Sequence, residues 1–168
     1  MRRKRSRDPR LALLLDAIDR AYDGKGWHGP TLRGALRGMT PATALFRAAP
    51  GAHGAWELLL HAAYWKYVVR RRIEGGPRGA FARRPANFPA IPKPADARSL
   101  AADLRLLDAE HARLRATVAA LPPARLDEKR GAWTIARLVQ GAAAHDIYHA
   151  GQIGLLKRLR AAGVKGAS

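Results

Sequence analysis

The sequence predicts an all-α fold, a four-helix bundle, on three observations. Four long segments repeat apolar residues at 3-4 spacing, no run alternates with period two, and one connection is far longer than the rest. The first helix is expected from about Pro9 to Tyr22, with Leu11, Leu14, Ile18 and Ala21 on one face and Asp23-Gly24 as its stop. Two short helical pieces follow between residues 25 and 50. One begins at Thr31, and the other has Thr40 as N-cap and Pro41 in the first helical position, where a missing N–H costs nothing. The second long helix is expected from near Ala52 to Glu74, ended by Gly75-Gly76-Pro77. The stretch that follows carries Pro77, Pro85, Pro89, Pro92 and Pro94, too many for a helix or a central strand. Extended, it can cover the ~35 Å length of a helix of about 23 residues, so the second and third helices can run parallel. The third helix is expected over about Ala95 to Ala120, before Pro122-Pro123, and the fourth from near Thr134 to about Ala162. This gives one domain over residues 9–163 behind a disordered basic tail, residues 1–8.

Composition narrows the function classes. The chain has 168 residues, 48% of them hydrophobic, and no stretch approaches the ~20 apolar residues of a membrane span. The basic start resembles the front of an export signal, but the apolar run Leu11 to Leu15 stops at Asp16, too short for one. A cytoplasmic location is therefore expected. The absence of cysteine excludes disulfides, thiolate ligands and a cysteine nucleophile. The net charge is +18, from 31 Lys and Arg against 13 Asp and Glu. That charge is spread over Arg2–Arg10, Arg70–Arg72, Arg83–Arg84 and Lys157–Arg160, with no recognition-helix motif and no aromatic-interleaved stripe. It reads as a solvated basic surface and not as a sequence-specific nucleic-acid interface.

The histidines stand where core residues belong. In the fourth helix Ile135, Leu138, Ala142, His145, His149, Gln152, Leu156 and Leu159 form a seam with apolar ends and a polar middle. His145 and His149 lie one turn apart on one face, so both rings can reach a single ion. The second helix has a matching seam of Leu58, His61, Trp65 and Val68. Glu57, four residues before His61, is placed to accept the ring N–H that a metal-bound imidazole leaves free. Unpaired imidazoles in a dry core cost ~1–3 kcal/mol per unsatisfied atom, whereas a metal uses their lone pairs directly. Three histidines and an open position form the pattern of a catalytic zinc site, although imidazole also suits nickel, iron and copper. A lone seam histidine is more often a hydrogen-bonded core residue than a ligand, and an HxxxH pair alone is a weak signal. The coincidence of the pair with a second seam histidine carries the metal reading. Trp65 and Tyr148 flank the site, Gln152 shares its face, and Asp146 points off it toward a structural hydrogen bond or salt bridge. His111 reads as a core histidine hydrogen-bonded to a neighbour ahead of a fourth ligand or inner-shell partner, His53 as structural, and His28 with Trp27 as an anchor for the loop after the first helix ahead of a role at the site mouth.

The segment His145 to Ile153, reading HDIYHAGQI, closely resembles the closing signature of the DinB/YfiT-like family of metalloenzymes. Trp27 to Leu32, Pro50 to Trp65 and Asn87 to Pro92 resemble three further motifs of that family, in the same order. The resemblance implies an up-down-down-up bundle with a metal triad of one histidine on the second helix and two on the last, here His61, His145 and His149. It also implies a divalent metal, zinc or nickel foremost and iron next, a small-molecule substrate and a homodimer. Relatives include transferases and isomerases that use a low-molecular-weight thiol such as bacillithiol, mycothiol or glutathione. Two readings stay open: a metal-dependent enzyme, such as a thiol S-transferase or a hydrolase, and a non-catalytic stress- or damage-response protein with a structural metal or a polyanion-contacting surface.

Overall fold

Asp8 opens the first helix, its carboxylate accepting from the N–H groups of Arg10 and Leu11 while Pro9 needs no partner. In the computed structural model, which describes residues 8–76 and 79–166, that helix (α1) spans Pro9–Tyr22 as the apolar spacing requires. Residues 1–7 of the expected tail lie outside the described residues. Thr31 and Thr40 cap the short helices α2 (Leu32–Ala35) and α3 (Pro41–Ala44) through their hydroxyls. α4 spans Ala55–Glu74, α5 Ala97–Ala119 and α6 Ile135–Ala161.

α4 starts three residues after the expected Ala52. The Glu57 carboxylate accepts from the Gly54 N–H at 2.8 Å and fixes the helix start there. Only glycine fits at that cap, because a Cβ would stand 2.9 Å from the Ala44 carbonyl oxygen. α5 likewise starts two residues late, where Asp96 accepts from the Ser99 N–H at 2.8 Å. A 3-10 turn (Pro123–Asp127) and a hairpin of two two-residue strands, β1 (Lys129–Arg130) and β2 (Trp133–Thr134), precede α6. These strands were not expected; two residues are too few for alternation to show.

The fold is mostly helical. Each of the four long helices packs on two others: α4 on α5 and α6, α1 on α5 and α6. Side-chain pairs fix the directions. Trp56 donates to Asp103 at 2.9 Å near the starts of α4 and α5, and Thr117 donates to Glu74 at 3.0 Å near their ends. Along α1 and α5 the order reverses, since Arg115 pairs with Asp19 and Tyr22 with Asp108. Two apolar clusters fill the interior, one around Trp56, Leu59, Leu107 and Ile153, the other around Leu14, Ile18, Ile73, Leu114 and Val139. Each fully buried large side chain in them contributes ~1.5–3 kcal/mol. Between the clusters, along α4 and α6, fall Lys66, His145, Asp146 and His149.

Candidate metal centre

His61 reaches the site from α4 and His145 with His149 from α6. His61 and His149 are buried and His145 half-buried. Their Nε2 atoms converge: His145 lies 3.1 Å from His61 and 3.0 Å from His149. Among the described residues these three form a group whose ligand atoms all lie within 4.8 Å of one another. Nitrogens ~2.05 Å from a tetrahedral ion stand about 3.3 Å apart, close to this spacing.

Hydrogen bonds fix which ring nitrogens carry protons. The backbone carbonyl of Asn87 faces His61 Nδ1 at 2.8 Å, and the Gln152 side-chain carbonyl faces His149 Nδ1 at 2.6 Å. Both oxygens only accept, so both Nδ1 atoms donate, leaving lone pairs on the Nε2 atoms. His145 Nε2 can donate to one of them at most. At least one contact near 3 Å therefore has no proton between its two nitrogens, an arrangement that one shared cation relieves for all three rings. Added protons are disfavoured. Burial lowers all three ring pKa values, in His61 and His149 against the partial support of their acceptors. His145 is held down to about 3, by burial first and then by the two neighbouring histidines and Lys66. The donor set fits a divalent ion.

The proline-rich crossover between α4 and α5 holds His61 from one further side: Phe88 stacks on the His61 ring at 4.1 Å, and His53 in turn stacks on the other face of Phe88 at 3.8 Å. Asn87 adopts φ 69°, a left-handed conformation that asparagine tolerates, and its side chain accepts from Trp65 Nε1 at 2.9 Å. Trp65 thus lines the site with its indole pinned to the crossover, 6.2 Å from His145 ring to ring. Gln152 also donates to the Tyr148 hydroxyl at 3.2 Å, and the mostly exposed Tyr148 borders His149 at the surface.

Glu57 does not take the place expected beside His61. Its carboxylate holds Arg47 at 2.8 Å and the Gly54 N–H, and the ring N–H of His61 goes to Asn87 instead. The third position of a helix faces back to its cap, and that geometry wins. Of the hydrogen bond or salt bridge expected for Asp146, the structure has a salt bridge, to Lys66, both side chains almost fully buried. His111 stacks on Tyr22 at 3.7 Å, with Nδ1 buried and unpartnered. Trp27, expected to anchor its loop, is 95% exposed and anchors nothing. Asn87, Phe88 and Lys66 were missed as neighbours of the site. A long linker gives no sign of which carbonyl will face inward, whereas Lys66, five residues after His61, shares no seam spacing with it.

A family profile described as the DinB superfamily matches residues 27–153, a span that includes all three histidines. No curated protein and no solved structure matches the chain significantly.

Proposed function

This chain belongs to the DinB superfamily, and from that membership we propose a metal-dependent enzyme whose ion is held by Nε2 of His61, His145 and His149. The observation that carries the reading is the convergence of three ring nitrogens, two of them with protons locked on the far side. The parallel pairing of α4 with α5, and the reversed pairing of α1 with α5, support an up-down-down-up four-helix bundle around the site. A bound zinc, nickel or iron ion would supply a Lewis-acid position that activates a thiol, water or carbonyl group. The group has three members among the described residues, which favours an open position over a closed structural site. Asn87 and Gln152 hold two of the rings in one tautomer and orientation. Trp65 and Tyr148 narrow the approach, and burial keeps the imidazoles neutral. The finer reading is transfer of a low-molecular-weight thiol to an electrophile. Because the chain has no cysteine, the sulfur nucleophile must come with the cosubstrate.

Metal analysis of purified protein tests the site. His61→Ala, His145→Ala and His149→Ala are each expected to lower metal content at least tenfold, with His53→Ala close to wild type. Equal metal retention in the three variants overturns the assignment. Thiol-dependent consumption of an electrophile by the metal-loaded protein, absent in the His149→Ala variant, tests the reaction.

A further inference from the structure

The metal reading leaves one face of His145 unused. Beside it, between α4 and α6, lies a cavity of about 300 Å³ to which Trp65 and His145 contribute one end. Val69, Leu138, Ala142 and Trp133 give it apolar walls. Its single acid is Asp146, already neutralised by Lys66. Two guanidiniums border it from opposite helices, Arg72 on α4 and Arg137 on α6. Neither forms an ion pair among the described residues, unlike the neighbouring Arg70 and Arg71, which share Glu74. Unpaired arginines are common in a chain of net charge +18, but these two share one apolar cavity. Arg137 lies over the Trp133 ring at 4.9 Å, which restricts its rotamers without consuming its N–H donors.

We propose that this cavity binds a small ligand with an apolar body and a carboxylate head, the head held by Arg72 and Arg137 and the other end reaching His145. The proposal deepens the metal-enzyme reading by naming a substrate class. An apolar cavity with a few convergent polar groups is what orients a small ligand, and a planar carboxylate matches the guanidinium fork. The walls supply affinity for the body, and the head fixes which end faces the histidines.

The test titrates 3-phenylpropionate and its neutral counterpart 3-phenylpropanamide into protein of known metal content, with and without prior EDTA treatment. The chain has four tryptophans, and only Trp65 and Trp133 line the cavity, so their indole N–H resonances report binding while Trp27 and Trp56 serve as controls. The carboxylate is expected to shift the Trp65 and Trp133 signals and to bind at least tenfold more tightly than the amide. Arg72→Gln and Arg137→Gln should each weaken carboxylate binding about tenfold, the loss of one charge-assisted contact. Arg105→Gln, on the exposed side of α5, should change it less than twofold. Gly141→Leu provides a variant independent of charge. Gly141 lines the cavity and a Cβ there meets nothing within 4 Å, so the substitution should leave the fold intact and abolish binding of both compounds. Equal affinity for acid and amide overturns the proposal, as does an Arg105→Gln effect as large as that of Arg72→Gln. Carboxylate binding intact in protein that takes up no metal, as purified or after loading, would count against the metal reading alone.

Discussion

Replacing Lys66 by methionine removes the cation from a pair in which the lysine is 3% and the aspartate 1% exposed. Asp146 Oδ1 is already buried without a partner, so the substitution would leave the whole carboxylate without one. Breaking a buried pair by removing one member costs ~3–5 kcal/mol, and Lys66 also loses its position 4.9 Å over the Tyr22 ring. At ~2–4 °C per kcal/mol for a domain of this size, the melting midpoint should fall by about 6–20 °C. The sign of the pH dependence follows from the site. Burial raises the Asp146 pKa, and Lys66 opposes that rise. In Lys66→Met the rise is unopposed, so the folded state holds a proton that the unfolded state, with a pKa near ~3.9, releases. The variant's deficit against wild type should therefore shrink as pH falls through the folded-state pKa of Asp146. Because this pKa is raised, that occurs above ~3.9. The double variant Lys66→Met/Asp146→Leu should recover most of the loss, since an apolar pair of similar volume needs no partner. Urea unfolding followed by circular dichroism in EDTA, at pH 7 and pH 5, measures all three proteins. A single-variant deficit below 1 kcal/mol at pH 7, or a double variant weaker than the single, would refute the reasoning.

Acid should weaken the metal-free protein through its depressed histidines. His111 and His145 are both held to about 3, chiefly by burial, so below the ordinary ~6.5 the unfolded chain binds protons that the folded one does not. Stability should fall by ~1.4 kcal/mol per pH unit for each such histidine. His111→Phe, which keeps the stack on Tyr22, should flatten the slope between pH 6 and pH 4.5; an unchanged slope counts against this account. At Asn87 the backbone carbonyl and the left-handed conformation matter more than the side chain. Asn87→Gly should thus keep metal affinity within about threefold, whereas Asn87→Ala should lose stability by ~1 kcal/mol and bind metal more weakly. Competition titration of both separates the roles, and equal affinities would remove the carbonyl's claim. Asp8→Ala should cost ~1 kcal/mol through the lost cap of α1, read from the urea midpoint, and no change would show that the cap is dispensable.

Periodicity is what made the four long helices and the convergence of the three histidines readable. Each of the four seams continues through enough turns that a misplaced residue would show, and His61, His145 and His149 sit on seam positions. Chain-stop chemistry set the ends: Thr31, Thr40 and Thr134 cap as their residue types demand. The partner of His61 was not readable, because a spacing rule places Glu57 near the ring but does not weigh the competing claim of the Gly54 N–H. Glycine at the cap with glutamate three residues on was a legible sign of that competition. Asn87 and Phe88 act through a backbone carbonyl and a ring face brought back by a connection without periodicity, and no pattern in the residues themselves encodes such a return.

The converging imidazoles come from residues 84 positions apart in the chain, and the acceptor behind His61 comes from a third segment, the crossover. An ion seated there would act as a cross-link in a chain that has no cysteine to make one. Unfolding would have to release it, so the unfolding free energy would rise with free metal as RT ln(1 + [M]/Kd). The reciprocal holds as well: anything that loosens the crossover around Asn87 lowers the affinity for the ion. Metal supply would then help set the fraction of this protein that is folded, and chelation would lower it, independent of any turnover at the site.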